Sequence, residues 1–145
     1  LLPAENALAG RTIGRGGAAM ANQTAAEARE LVVVLTRGID HELSSAGMII
    51  ALGGMTAGLK VSIFLTSSGV DIVRRGAADT THVKPLEPLA DMLRDFMARG
   101  GTIWACTPCV KSRGYAQENL LDGVIVAGSS VMHERIKAGA ATLSF

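Results

Sequence analysis

The chain has 145 residues, enough for one domain with a sizeable core and too few for two. Apolar residues make up 48% and charged residues 19%, a globular composition that excludes an intrinsically disordered chain. The net charge of +1, with no stripe of interleaved aromatic and basic residues, argues against a nucleic-acid partner.

Residues 1–29 are rich in Ala and Gly and show no sustained periodicity before Ala25. They read as a poorly patterned tail in front of a single domain over 30–145. Gly14-Arg15-Gly16-Gly17 resembles part of a dinucleotide fingerprint, but no strand precedes it, and a loosely docked tail is the expectation. Met20 is a candidate natural start. The first thirty residues lack a basic stretch followed by an apolar one, so no export signal is read. The longest strongly apolar run, Leu31–Leu35, falls far short of the roughly 20 residues a membrane span needs. The expectation is a cytoplasmic protein with no membrane partner.

Leu31–Leu35 is β-branched and continuous, as in a parallel strand buried on both faces. Thr36–Asp40 follows as a polar loop. Glu42–Ala57 reads as a helix with Leu43, Ala46, Ile49, Ile50, Gly53 and Ala57 on one face, its small residues allowing close approach to a sheet. Gly58 is its expected C-cap. Lys60–Thr66 is a second strand, ending in Thr66-Ser67-Ser68-Gly69. Val70–Arg75 predicts a short helix stopping at Gly76, and 77–88 an ordered surface loop. Leu89–Arg99 is the clearest helix, with Leu89, Met92, Leu93, Phe96 and Met97 at i, i+3, i+4, i+7 and i+8, and Gly100-Gly101 ends it. Thr102–Ala105 is a third strand. Gln117–Leu121 is a helical candidate, Val124–Ala127 a fourth strand, Ser129 or Ser130 caps a helix to Ala138, and Thr142–Phe145 is a fifth strand. Strands alternating with helices imply a parallel sheet with helices on both faces. In such sheets functional sites gather at the carboxyl ends of strands, where Cys106, Thr36–Asp40 and Thr66–Gly69 fall.

Both cysteines stand together in Trp104-Ala105-Cys106-Thr107-Pro108-Cys109. Three kinds of chemistry use two thiols at this spacing. A thioredoxin-like disulfide is one, but that fold needs a proline loop after the motif, and the last of the four prolines is Pro108. Zinc is another, but there is no second CxxC and His41, His82 and His133 are isolated, so a site would have to draw on two distant histidines. The third is a nucleophilic, sulfur-carrying cysteine. Orphan N–H groups at a helix start, together with Lys111 and Arg113, favour thiolate over thiol and would favour an anionic persulfide as well. Two inert thiols packed as small hydrophobes remain the plain alternative.

Several stretches together resemble the DsrE/DsrF family of small intracellular sulfur-handling proteins. They are the opening strand, the Gly-rich helix from Ala46 to Gly58 and Val83-Lys84-Pro85-Leu86 before an amphipathic helix. Gly100-Gly101, the spacing from Cys106 and Cys109 to Arg113-Gly114, and the close from Gly139-Ala140 to Leu143-Ser144-Phe145 complete the set. The resemblance covers about 31–145. It implies a three-layer α/β sandwich with a five-stranded, mainly parallel sheet, assembled as a trimer or hexamer. It implies a sulfur carrier that passes persulfide sulfur from a donor protein to an acceptor protein, without cofactor or metal. Cys106 lies eight residues before Gly114 and Cys109 five before it, and members of the family use one or the other spacing. The expectation is Cys106 as acceptor, Cys109 as resolving partner, and Lys111 and Arg113 as stabilisers of the anionic sulfur. A binding or assembly module of the same fold, or a CxxC thiol-disulfide oxidoreductase, are the alternatives.

Overall fold

Five short apolar runs pair side by side, and the central ones, β-branched and apolar, are buried under helices while the edge strands stay largely exposed. The computed structural model describes residues 29–145. The Gly14–Gly17 stretch and Met20 lie outside the described residues. The strands are β1 (Glu30–Leu35), β2 (Lys60–Leu65), β3 (Thr102–Cys106), β4 (Ile125–Ala127) and β5 (Ala141–Ser144). The helices are α1 (Glu42–Thr56), α2 (Leu89–Ala98), α3 (Thr107–Ser112) and α4 (Ser130–Lys137). The sheet order is β4-β3-β2-β1-β5, and every neighbouring pair is parallel. The α/β architecture and the strand assignments agree with the sequence reading. Among the described residues, no helix is long and apolar enough to cross a membrane.

The two faces of the sheet are unequal. Leu31, Val33, Leu35, Val61, Ile63, Leu65, Ile103 and Ala105 enter the main core with α1 and α2. The opposite face buries only Val32, Phe64 and Trp104, against Val131 and Met132 of α4. The α2 stripe packs as its periodicity predicts, with Leu89, Met92, Leu93 and Phe96 buried and Met97 partly so. Gly100 ends that helix at φ 89, and Gly58 follows α1 at the same angle.

On α1 the structure reverses the expected face. Ser44, Ser45, Gly47, Met48, Ala51 and Leu52 are buried. Leu43, Ile49 and Ile50 point outward at 37%, 37% and 38% exposure. The helix is apolar around most of its circumference, so periodicity could not choose a side. Close approach chose it: a side chain at Gly47 would run into Leu35 and press on Phe145. The buried Ser44 hydroxyl also ties down the loop after β1, through the Arg37 and Gly38 carbonyl oxygens at 2.8 and 2.6 Å.

Three other segments differ from expectation. The short helix expected over Val70–Arg75 is a 3-10 helix over Ser67–Val73. The loop expected over 77–88 contains a 3-10 turn, Ala77–Thr80, whose Ala77 and Ala78 are buried. A 3-10 turn over Gln117–Asn119 takes the place of the helical candidate there.

Gly69 is the tightest point of the β2 exit. A Cβ there would collide with the carbonyl oxygen of Leu35. Gly69→Ala is therefore expected to destabilise the fold by about 1–3 kcal/mol, the usual effect of overpacking. Guanidinium denaturation should show a lower midpoint with an unchanged slope; a wild-type midpoint would show that the backbone here can give way.

Candidate functional site

β2 and β3 pair with Leu65 opposite Ala105. The register places the next residues, Thr66 and Cys106, side by side at the carboxyl edge of the sheet. The chain leaves β2 through Thr66 in extended backbone and then turns sharply at Ser67, whose φ is 51. That left-handed conformation is uncommon for a residue with a Cβ and is found where surrounding structure enforces it. Here it presents the Ser67 N–H to Cys109 Sγ at 3.2 Å. The Thr66 hydroxyl lies 3.6 Å from the same sulfur.

β3 runs into α3 with no intervening loop. Cys106 is both the last strand residue and the N-cap of the helix. Pro108 fits the first turn, where its missing N–H costs nothing. Cys109 is the third helical residue. Both thiols are free and half-buried. Burial alone would push the Cys109 thiol up. Hydrogen bonds from Thr66, Cys106 and the Ser67 N–H, with the Arg113 charge, outweigh it, and the net direction is downward from the ordinary thiol value. The support comes mainly from the β2 edge, because α3, at six residues, is too short for a strong macrodipole.

Arg113 closes α3 and faces two ways. Its Nη1 donates to the Cys109 carbonyl oxygen at 3.3 Å, and its Nε pairs with Asp71 Oδ1 at 3.1 Å. The Tyr115 hydroxyl donates to the same Asp71 oxygen at 2.7 Å. That hydrogen bond, then burial, then the Asp71 charge push the Tyr115 phenol up, so it stays protonated and a donor. Lys111 is exposed and makes no ion pair among the described residues. The structure thus brings Cys106, Cys109 and Arg113 together and leaves Lys111 on the outer side of α3.

Sequence reasoning missed Asp71 and Tyr115, which are 44 residues apart and share no local signal. Thr66 and Ser67 were legible only as residues of a strand's carboxyl end. The three histidines serve local backbone contacts. His41 Nδ1 accepts from the Leu43 N–H at the start of α1. A ring nitrogen of His82 lies 2.9 Å from the Leu86 carbonyl oxygen, and one of His133 lies 2.8 Å from that of Ser129.

Comparison with known proteins bears on the fold and the family. The uncharacterized protein MJ0760 of Methanocaldococcus jannaschii is 29% identical over 101 residues, covering 69% of this chain and 37% of that protein. The chain therefore spans little more than a third of that relative's length. The ychN protein of E. coli superposes with a TM-score of 0.65 at 21% identity, covering 81% of this chain and 99% of the other. MTH1491 from Methanobacterium thermoautotrophicum does so with a TM-score of 0.64 at 19% identity, over the same shares. At these identities the two structures show a shared fold. The family model described as "DsrE/DsrF-like family" matches residues 29–145, and the chain belongs to that family.

Proposed function

We propose that this protein is a cytoplasmic sulfur carrier that holds persulfide sulfur on Cys109, within one working domain over 30–145. The family is linked in general to sulfur relay. The observation that carries the reading is the pair of donors, Ser67 N–H and Thr66 hydroxyl, around Cys109 Sγ. They stabilise a thiolate, which is the attacking form. This assigns the acceptor role to Cys109 and the resolving role to Cys106, the reverse of the roles expected from the sequence.

The Cys109 thiolate attacks the outer sulfur of a donor persulfide, R–S–S–H. A bond forms between Cys109 Sγ and that sulfur, the donor's S–S bond breaks, and R–S⁻ leaves with the bonding pair. An acceptor protein's thiolate then attacks the carried sulfur, and Cys109 departs as thiolate. The same donors that lower its proton affinity make it a good leaving group. Attack by Cys106 on Cys109 Sγ instead would expel HS⁻ and form an internal disulfide, a resting or release state. Arg113 contributes charge at the sulfur, and Lys111 is assigned to the incoming anion from the solvent side. The free, adjacent thiols also suit thiol-disulfide exchange, the second reading.

We assign a homo-oligomer, a trimer or hexamer, to the same proposal. Leu43, Ile49 and Ile50 of α1 are exposed apolar residues, as are Ile125 and Leu143 on the outer strands at 50% and 44%. The three on α1 share one helix and are the proposed contact, since apolar side chains gathered in water mark interaction surfaces.

Three outcomes are expected. In intact-protein mass spectrometry, a persulfide donor adds one sulfur atom to wild type and to Cys106→Ser, and none to Cys109→Ser. Gain on neither cysteine would leave a binding module without sulfur chemistry. Gain that requires both cysteines would favour disulfide exchange. Second, alkylation of Cys109 by iodoacetamide, followed peptide by peptide against pH, has its midpoint below that of an ordinary free thiol. Thr66→Val removes a donor to the thiolate and moves the midpoint upward; an unmoved midpoint would take Thr66 out of the site. Third, Ile50→Glu lowers the mass measured by light scattering to a smaller assembly, whereas an unaltered mass would place the subunit contact elsewhere.

A further inference from the structure

Beyond the thiols, the strongest unassigned feature is a basic cleft beside α3. After the 3-10 helix Ser67–Val73 the chain turns extended at Arg74, which pairs with Leu120 in an isolated antiparallel bridge. The bridge brings the Gln117–Asn119 turn up to the end of α3. Between them opens a cleft of about 420 Å³ lined by Arg74, Arg75 and Arg113, with Tyr115, Glu118 and Asn119. That volume is in the range of small-molecule sites, roughly 300–1,000 Å³.

The three guanidiniums differ in how they are held. Arg113 is fixed by Asp71. Arg75 donates to the Glu118 carbonyl oxygen at 2.9 Å and to Asp122 at 2.6 Å. The Asp122 side chain is 94% exposed, so that pair neutralises Arg75 only weakly in water. Arg74 is exposed and makes no ion pair among the described residues. The lining carries three guanidiniums and one carboxylate, Glu118, while Asp71 and Asp122 pair with Arg113 and Arg75 from its margin, so Arg74 is the uncommitted cation. Guanidinium is shaped to take a carboxylate through two parallel hydrogen bonds.

The cleft is also tied to the reactive sulfur. Arg113 lines it, donates to the Cys109 carbonyl oxygen and sits one helical turn beyond Cys109. The Arg113 charge also acts on the Cys109 thiol, so one residue belongs to both the cleft and the surroundings of the sulfur. We propose that the cleft recognises the carboxylate of a short peptide persulfide, with Arg74 as its main contact, so that the sulfur donor is a small carboxylate-bearing molecule. This rests on the sulfur-carrier reading above and names its substrate class. The chemistry is unchanged: the Cys109 thiolate takes the outer sulfur with its proton, and the peptide departs as thiolate with the bonding pair.

Glutathione persulfide and the persulfide of glutathione diethyl ester test this, since they share the reacting sulfurs and differ in their carboxylates. Initial rates of sulfur gain are read by mass spectrometry. Wild type should favour the free acid over the ester by about tenfold, the scale of one charge-assisted contact. The ratio should collapse toward unity in Arg74→Gln and shrink as salt screens the charges. Equal rates for both donors in wild type would overturn the cleft while leaving the carrier intact. A preference retained in full by Arg74→Gln would overturn Arg74's part in it. No sulfur gain from either donor would overturn the carrier reading and this inference together.

Discussion

The register of β2 against β3 is the constraint on which the site depends. With Leu65 opposite Ala105, the first residue past β2 lies beside the last residue of β3. Thr66, Ser67 and Cys106 are thereby adjacent, and the direct passage from β3 into α3 swings Cys109 back under the Ser67 N–H. A slip of one residue would exchange the faces of the strand and expose Ile63 and Leu65, which are almost wholly buried. The same apolar burial that builds the core thus fixes the distance between a thiol and its donors. Gly69 makes the exit from β2 narrow enough to hold that geometry.

Around the sulfur, two effects oppose each other. Burial penalises the thiolate, and hydrogen bonds restore it. The net direction is downward from the ordinary thiol value, and the fold positions two of the groups responsible: a backbone N–H held by a left-handed turn and a hydroxyl at a strand end. Asp71 then orders the outer wall. By accepting from both Arg113 and Tyr115 it holds the guanidinium near the Cys109 carbonyl, where its charge acts without forming an ion pair to the sulfur itself.

The layers are built for different tasks. Most of the core lies on the α1 and α2 side, and the α4 side buries three large residues. α1 carries apolar side chains on both its faces, one packed on the sheet and one presented to solvent. A helix of that kind is costly to leave uncovered.

The sequence by itself determined the five strands, the three longer helices and their order. β-branched runs such as Leu31–Leu35 and the 3.6-residue stripe from Leu89 to Phe96 are local patterns, and local patterns survive without tertiary information. Parallel topology followed from strands alternating with helices, and it directed attention to the strand ends where the cysteines lie. The Cys106–Cys109 pair and Arg113 were legible as a group because they fall within eight residues. Tertiary structure decided the rest. It selected the buried side of α1, since close approach at Gly47 depends on Leu35 and Phe145, which no helical period can report. It brought Thr66 and Ser67 across more than forty residues to Cys109, and Asp71 across a similar span to Tyr115. The donors to Cys109 come from far along the chain, so sequence spacing could name the pair but not choose between its members.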